Sequence, residues 1–403
     1  MKILWVKSGF LHPTASGGQI RTLETLKRLH QRHEIHFAAL DLPQPGEGSR
    51  RSAEYCTKAY PVAHRAPSKR GLPYWAELAM GAWTNMPLSM LRYRSRALRR
   101  QVEMLTRREK FDAIVCDFLA AAANIPELGS AVLFQHNVES AIWARHMEHA
   151  PSPWHRAYCR VQYQRMLRYE ELVCRGARKI IAVSAADARA MRCLYGATSV
   201  SSIPTGVDID YFAPPPAPTL PPTSAPTLAP SLDLVFVGAM DWRPNIDGTA
   251  WFARQVLPLI RERRPDCSLA IVGRHPAAEV RALASSDQRI QVTGTVDDVR
   301  PYLWGSSLAI VPLRIGGGTR LKIYEAMAAK VPVVSTSLGA EGLDVRDGEN
   351  IAIADSPPQF AEACLALLGD SGARRRMAAN AWEMVAACYS WEVVSRQFEK
   401  LLE

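Results

Sequence analysis

The sequence predicts an α/β protein built of two doubly wound domains that face each other across a cleft. Three observations predict it. Short apolar runs alternate with amphipathic helical stretches throughout the chain. The alternation breaks at a proline-rich run near the middle and restarts directly after it. A chain of 403 residues is also long enough for two such domains, at about 100–200 residues each.

Residues 1–205 supply the N-terminal domain. The runs ILWV (3–6), IHFAAL (35–40), FDAIVCDF (111–118), AVLFQ (131–135) and KIIAVS (179–184) read as buried strands, with helical stretches such as 18–32 and 92–110 between them. Eight of the 17 residues from Pro214 to Pro230 are proline, which excludes helix and central strand. Residues 206–231 are therefore expected to be a semi-rigid extended linker. The second domain, 232–387, repeats the pattern with LDLVFVG (232–238), SLAIVG (268–273), RIQVTG (289–294), LAIVPL (308–313) and VPVVST (331–336). Sheets of this kind bind ligands beyond the carboxyl ends of their strands, which places the expected site in the cleft.

The composition, 48% hydrophobic and 22% charged, is that of an ordinary soluble protein. No apolar run approaches the ~20 residues of a membrane-spanning helix. MKILWVKSGF reads as a first strand rather than a signal peptide, because Lys7 closes its apolar run. The eight cysteines are scattered without a C-x-x-C pair, so reduced, mostly buried thiols in a cytosolic chain are expected.

Charge is uneven. Residues 1–200 hold 30 Lys/Arg against 16 Asp/Glu, a net +14, while 201–403 hold 19 against 23, a net −4. The basic half is expected to meet a polyanion or an anionic surface. Its run LRYRSRALRRQVEMLTRREK (91–110) carries Leu91, Ala97, Leu98, Val102 and Leu105, with Trp75 and Trp83 upstream. It fits either a peripheral contact with an anionic membrane or a solvated helix face. No recognisable nucleic-acid module accompanies the charge, so nucleic acid is not expected as a partner.

The densest motif is RIGGGTRLKIYEAMAAKVPVVST (314–336). Gly316, Gly317 and Gly318 permit a tight turn, and a helix is expected to start near Thr319. Arg320 and Lys322 would then occupy its first turn, where the macrodipole disfavours cations by roughly 0.3–1 kcal/mol each. An anion held between them removes the conflict, and a helix N-terminus with two cations makes a phosphate site. Glu325 lies about 9 Å further on at ~1.5 Å per residue, and its carboxylate can accept from both hydroxyls of a diol. Together they fit a nucleoside diphosphate with its ribose on Glu325. A glycine-rich turn beside a solvated charged face fits the same spacing.

Weaker signals lie elsewhere. Gly17 and Gly18 in TASGGQIRT (14–22) permit close backbone approach to a ligand, or form an ordinary turn between strand and helix. His136 in FQHNVES (134–140) sits just past a strand and is either catalytic or structural. Gly238, Gly273 and Gly294 close strands on the expected cleft side. Ser184 reads as a helix N-cap, with Asp187 as its capping-box partner. DID (208–210) matches a metal-binding D-x-D pattern, but it sits in the interdomain connection and is read as structural. No Walker A, H-E-x-x-H or G-x-S-x-G sequence is present.

These residues resemble the retaining glycosyltransferases of family 4, which have the GT-B architecture of two facing Rossmann-like domains. The matching stretches are VFVGAMDWRPNIDG (235–248), IVGR (271–274), VTGTVDDVRPYL (292–303), VPLRIGGGTRLKIYEAMAAKVPVVSTSLGAEGL (311–343) and YSWEVV (389–394). SGGQIRTLETLKRL, FQHN, KIIAVS and IPTGVDIDYFAP add weaker support from the N-terminal half.

The resemblance implies transfer of a sugar from a nucleotide-diphosphate sugar to a glycan, glycolipid or small-molecule acceptor, with retention and without metal or other cofactor. It points to cell-surface polysaccharide or glycolipid synthesis, in the cytoplasm or peripherally at the inner membrane face. It implies that Glu325 grips the ribose and that His136 sits beside the transferred sugar. Gly17 and Gly18 would lie against the donor's diphosphate and sugar. Arg320, Lys322 and the amides of Gly316, Gly317, Gly318 and Thr319 would stabilise the leaving diphosphate. Thr295 and Val296 would lie near the base, and 388–403 would pack back on the N-terminal domain. Two departures stand out. Gly317 occupies the position, eight residues before Glu325, where many relatives carry a glutamate. AMDWRPN replaces a stretch that usually holds Arg and Lys, leaving Arg243 as the available substitute. A nucleotide-sugar epimerase, a phosphorylase and a non-catalytic nucleotide-sugar-binding protein are the alternative readings.

Overall fold

The computed structural model describes residues 1–14, 16–43, 46–65, 84, 86–148, 150, 152–215, 231–315 and 320–403. Trp75, Trp83, the proline-rich residues 216–230 and the loop Gly316–Thr319 lie outside them. The chain divides into two compact units, Met1–Thr205 with Trp391–Glu403, and Gly206–Ser390.

The first unit is built on a seven-stranded parallel sheet. Its strands are β1 (Lys2–Lys7), β2 (Glu34–Asp41), β3 (Lys58–Ala63), β4 (Ala113–Asp117), β5 (Ala131–Gln135), β6 (Lys179–Ala182) and β7 (Val200–Ser202). Their spatial order is β3-β2-β1-β4-β5-β6-β7, so the order reverses between β1 and β4. Alternate side chains of β1 serve two cores. Leu4 and Val6 join one cluster, and Ile3 and Trp5 join another on the opposite face. Both faces are covered, which is why the strands read as near-continuous apolar runs.

The last helix, Trp391–Leu402, closes the second of these cores. Phe398 stacks on Trp5 with ring centroids 5.5 Å apart and meets Phe134 edge-on at 4.9 Å. Lys179 Nζ donates to the Leu401 carbonyl at 2.6 Å, and His33 Nε2 bonds Glu399 at 2.8 Å. The carbonyls that a helix end leaves unpaired are thus taken up by the unit itself.

The second unit carries a six-stranded parallel sheet: β8 (Leu232–Val237), β9 (Leu269–Val272), β10 (Ile290–Gly294), β11 (Ser306–Val311), β12 (Val333–Ser335) and β13 (Ala352–Ile353). Their order is β10-β9-β8-β11-β12-β13, with the reversal between β8 and β11. Residues 206–213 belong to this unit and include a helical turn rather than being extended throughout. Asp208 caps a helical turn, Ile209–Phe212, by accepting from the Tyr211 amide at 3.0 Å, and Phe212 is buried in the core. The D-x-D carboxylate at 208 is therefore occupied as a cap. Ser184 likewise caps its helix, accepting from Asp187 N at 3.0 Å. Six of the eight cysteines are buried and all are free thiols.

Candidate functional site

At the reversal of the second sheet, β8 ends at Val237 and Gly238 follows it. A Cβ there would lie 2.7 Å from both Asn245 Nδ2 and Lys322 Nζ, and 3.2 Å from the Phe236 ring. The absence of a side chain lets these groups converge. Lys322 Nζ donates to Asn245 Oδ1 at 2.8 Å and lies 4.2 Å from the centroid of the Phe236 ring. Gly273, closing β9, is needed for a different reason. A Cβ there would stand 1.8 Å from the Gly238 carbonyl oxygen.

Lys322 and Glu325 share one face of the helix Leu321–Ala328, at spacing i and i+3. Burial pushes the Lys322 ammonium down to about 7, with Glu325 opposing the shift and Arg320 adding to it. Burial also raises the Glu325 carboxyl, opposed by Lys322. Lys322 keeps some exposed surface, so its group is poorly solvated rather than sealed. Among the described residues, the Glu325 side chain makes no hydrogen bond and no ion pair within contact distance. A half-buried cation and a half-buried carboxylate therefore face the ligand side of the sheet with little internal compensation.

The helix starts later than the sequence suggests. Arg320 is its N-cap residue, with φ −89° and ψ 56°, rather than part of the first turn. Its side chain is 3% exposed, and Nη2 donates to the Leu338 carbonyl at 3.2 Å. Only Lys322 of the two cations occupies the first turn. Gly316, Gly317, Gly318 and Thr319 fall outside the described residues. Arg243 opens the helix Arg243–Trp251 but extends outward to Glu279 at 3.6 Å, and it is Asn245, two residues on, that meets Lys322. Thr295 is exposed, Val296 packs against the core, and Gly294 before them takes a left-handed φ of 71°.

The first unit gathers a different cluster at its own strand reversal. Asp117, the last residue of β4, is fully buried and accepts four hydrogen bonds. Its Oδ1 takes His136 Nε2 and Lys7 Nζ, each at 2.8 Å. Its Oδ2 takes Trp5 Nε1 at 2.8 Å and Thr22 Oγ1 at 2.7 Å. These partners settle the histidine tautomer. Nε2 carries the proton, and Nδ1 accepts from Arg21 Nη1 at 3.1 Å. Arg21 also donates to Thr205 Oγ1. Burial pushes the His136 imidazolium down to about 4, against the pull of Asp117, so the ring is neutral at physiological pH. Burial opposes the Asp117 carboxylate, yet Lys7 and then His136 hold its pKa below the usual range. Gly18, near the start of the helix Gly17–His30, lies against this ring. A Cβ there would sit 3.5 Å from His136 Nδ1.

Two further features fix the histidine. Phe118, directly after Asp117, stands at φ 76° and ψ 151°, a conformation that costs a bulky residue about 1–3 kcal/mol. Its ring meets His136 edge-on at 5.5 Å. On the other side, buried Glu170 accepts from the amides of Glu139 and Ser140 at 2.9 Å each, from Tyr195 Oη at 2.6 Å and from Gln135 Nε2 at 3.1 Å. The carboxylate holds the N-terminus of the helix Glu139–Glu148 and so fixes the segment that carries His136.

The basic run 91–110 forms the helix Arg96–Arg108. Leu98, Val102 and Leu105 are buried in a core, so its apolar side is spent on the fold. What it offers outward is arginine, in part paired, as Arg107 with Glu103 at 2.6 Å. No helix among the described residues is long and apolar enough to cross a membrane. A cavity of about 610 Å³ in the second unit, beside Lys330, Arg374 and Trp382, touches none of the predicted site residues and opens by Ser306 and Ser307 at the start of β11.

Residues 15–211 match the family described as Glycosyltransferase Family 4, and residues 231–370 match Glycosyl transferases group 1. The chain is 34% identical over 152 residues to the phosphatidyl-myo-inositol mannosyltransferase of Mycobacterium leprae, covering 36% of this chain and 40% of that one. It is 28% identical over 176 residues to an uncharacterized protein in the cps region of Klebsiella pneumoniae, covering 42% and 45%. It thus spans about half the length, or less, of these curated relatives. In structure it resembles Anabaena HepE, solved with UDP and glucose, with a TM-score of 0.64 over 100% of this chain and 99% of that one at 15% identity. With the two family matches spanning most of the chain and both units built on parallel sheets, the protein belongs to the family 4 glycosyltransferases of GT-B architecture.

Proposed function

We propose that the protein is a retaining, metal-independent glycosyltransferase that moves a sugar from a nucleotide-diphosphate sugar to a glycolipid or polysaccharide acceptor. The observation that carries this reading is the Lys322–Glu325 pair. A desolvated ammonium and a carboxylate without a hydrogen bond among the described residues stand on one helix face, beside the glycine that follows β8. A phosphate on Lys322 and a ribose diol on Glu325 would satisfy both. Arg320 at the helix cap and the amides of Gly316, Gly317, Gly318 and Thr319 would complete the diphosphate site. These groups supply the positive charge that a metal brings elsewhere to a departing diphosphate. Arg243 can join them only by leaving Glu279. Thr295 and Val296 would border the base.

In the first unit, Gly17 and Gly18 would lie against the donor, with His136 behind them. The neutral histidine, held by Asp117 and Arg21, suits a role in shaping the sugar pocket rather than in proton transfer. Names of similar proteins suggest the acceptor class. One relative acts on phosphatidyl-myo-inositol, and another lies in a cps region. Contact with an anionic membrane through 91–110 would be electrostatic, made by its arginines and Lys110.

Calorimetric titration with UDP and GDP, followed by transfer assays from UDP-glucose and GDP-mannose to phosphatidylinositol vesicles, tests the reading. Glu325→Ala should weaken nucleotide binding by about 10–100-fold. Equal affinity in the variant and the wild type would sink the ribose assignment.

A further inference from the structure

The first unit contains a cavity of about 350 Å³ that none of the transfer chemistry uses. It is near the lower end of the about 300–1,000 Å³ range of small-molecule sites. Its walls are mainly apolar, with Ile125 and Val173 buried at 3% and 1% exposure. Leu172 stands at its rim with 66% of its surface exposed, a large apolar side chain directed to solvent. One wall is different. Tyr169 is 8% exposed, and its buried hydroxyl has no hydrogen-bond partner. The Ala123 amide lies near the oxygen without reaching hydrogen-bond geometry. Buried hydroxyls in folded proteins are nearly always paired, so an orphan in a cavity wall marks a place for a polar ligand atom.

Two cations border the same cavity. Among the described residues, Arg99 spends its guanidinium only on long bonds to the Ile125 and Pro126 carbonyls, 3.4 Å each. Arg94 lines the cavity and makes no ion pair among the described residues. Apolar walls call for a hydrocarbon chain, and two guanidinium groups beside a free hydroxyl call for an oxygen-rich anion. No single small polar or purely apolar ligand answers both demands.

We propose that this cavity binds a single-chain anionic amphiphile, its chain along Ile125, Leu172 and Val173 and its phosphate-like head on Tyr169, Arg94 and Arg99. The site stands on the cavity itself and does not rest on the transferase reading.

Calorimetry with monomeric dodecyl phosphate, kept below micelle formation, tests it. Saturable one-to-one binding is expected, at least about tenfold tighter than for dodecyl maltoside, which shares the chain, or inorganic phosphate, which shares the head. Tyr169→Phe should weaken binding several-fold while the melting temperature of the free protein holds or rises, because an unpaired hydroxyl is removed. Leu172→Asp, at an exposed rim position, should weaken it as well. Both variants should bind UDP or GDP as the wild type does. Vesicles containing phosphatidylglycerol distinguish the source. Retention of dodecyl phosphate by the protein in their presence identifies a free single-chain amphiphile, and its displacement by the two-chain lipid would overturn the single-chain assignment. Equal affinity for dodecyl phosphate and dodecyl maltoside would overturn the proposal. So would a Tyr169→Phe variant that melts lower and binds unchanged.

Discussion

The two strand reversals of this protein carry opposite kinds of polar cluster. In the first unit, Asp117 is saturated by four donors, and both nitrogens of His136 are engaged. In the second, among the described residues, Lys322 holds one hydrogen bond and Glu325 none. Both clusters give up water, but among the described residues only the first replaces it with a full set of protein partners. Fully satisfied networks rigidify a core, whereas groups left short of partners keep free energy available for a ligand. The first cluster is thus a support that holds a neutral ring behind Gly18, and the second is a receptor.

The largest effect should come from breaking the saturated side. Asp117→Asn leaves Lys7 buried without its countercharge, and removing one partner of a buried pair costs about 3–5 kcal/mol. Chemical denaturation should show a loss of that order. A Lys7→Met/Asp117→Asn double variant should recover part of it, since the stranded charge is gone. The acid limb gives a second readout. His136 has a folded pKa lowered to about 4 from 6.5, so between these values the unfolded chain binds more protons and stability falls as the pH drops. His136→Gln should flatten that slope. An unchanged slope would mean that the ring is already protonated in the fold.

On the receptive side, Glu325→Ala should leave the melting temperature nearly unchanged, because its side chain makes no bond among the described residues. It should weaken nucleotide binding by about 10–100-fold, the scale of one or two hydrogen bonds to a charged group. Stability and binding thus respond in opposite proportion at Asp117 and Glu325. A Glu325→Ala variant that unfolded easily would abolish the distinction between support and receptor.

Lys322 gives a smaller, graded effect. Its pKa in the free protein is lowered to about 7 from 10.5, and a bound diphosphate would raise it. Binding then takes up a proton at any pH above about 7. Affinity for a nucleoside diphosphate should be flat below that value and fall above it, by at most about tenfold per pH unit. Lys322→Arg, which stays charged, should lose the dependence. A pH-independent affinity in the wild type would place the phosphate elsewhere.

The contrast also separates what the sequence shows from what it hides. Ten strands are visible as apolar runs because both sheet faces are covered. β3 escapes because Pro61 and its alternating exposure suit an edge, and β7 and β13 because three and two residues are too few to show a pattern. Lys322 and Glu325 are legible because a local glycine loop announces a turn into one helix. Asn245, 77 residues from Lys322, carries no such signal. Nor does the bond between Trp5 and Asp117, which are 112 residues apart and meet only because β1 pairs with β4. A faint clue exists in retrospect, as Lys7 and Asp117 place opposite charges at the ends of two buried runs. The sequence suggests a first-turn position for Arg320, whereas the backbone at 320 has not yet become helical.

The smallest effect concerns a third carboxylate, and it tests how far partnering alone separates support from receptor. Asp208 begins a D-x-D sequence that could hold a metal, yet its oxygen accepts from the Tyr211 amide as a helix cap. Asparagine caps a helix as well as aspartate does, whereas alanine costs about 1 kcal/mol. Asp208→Asn should therefore leave stability and transfer activity unchanged, and Asp208→Ala should lower stability by that amount with activity retained at low temperature. A metal ligand would respond in the reverse way, because the neutral amide is a far poorer donor to a hard cation than a carboxylate. If Asp208→Asn lost activity that added manganese restored, the cap would be a second occupation of a metal ligand. The positive charge now assigned to Lys322 and Arg320 would then have to be shared with an ion.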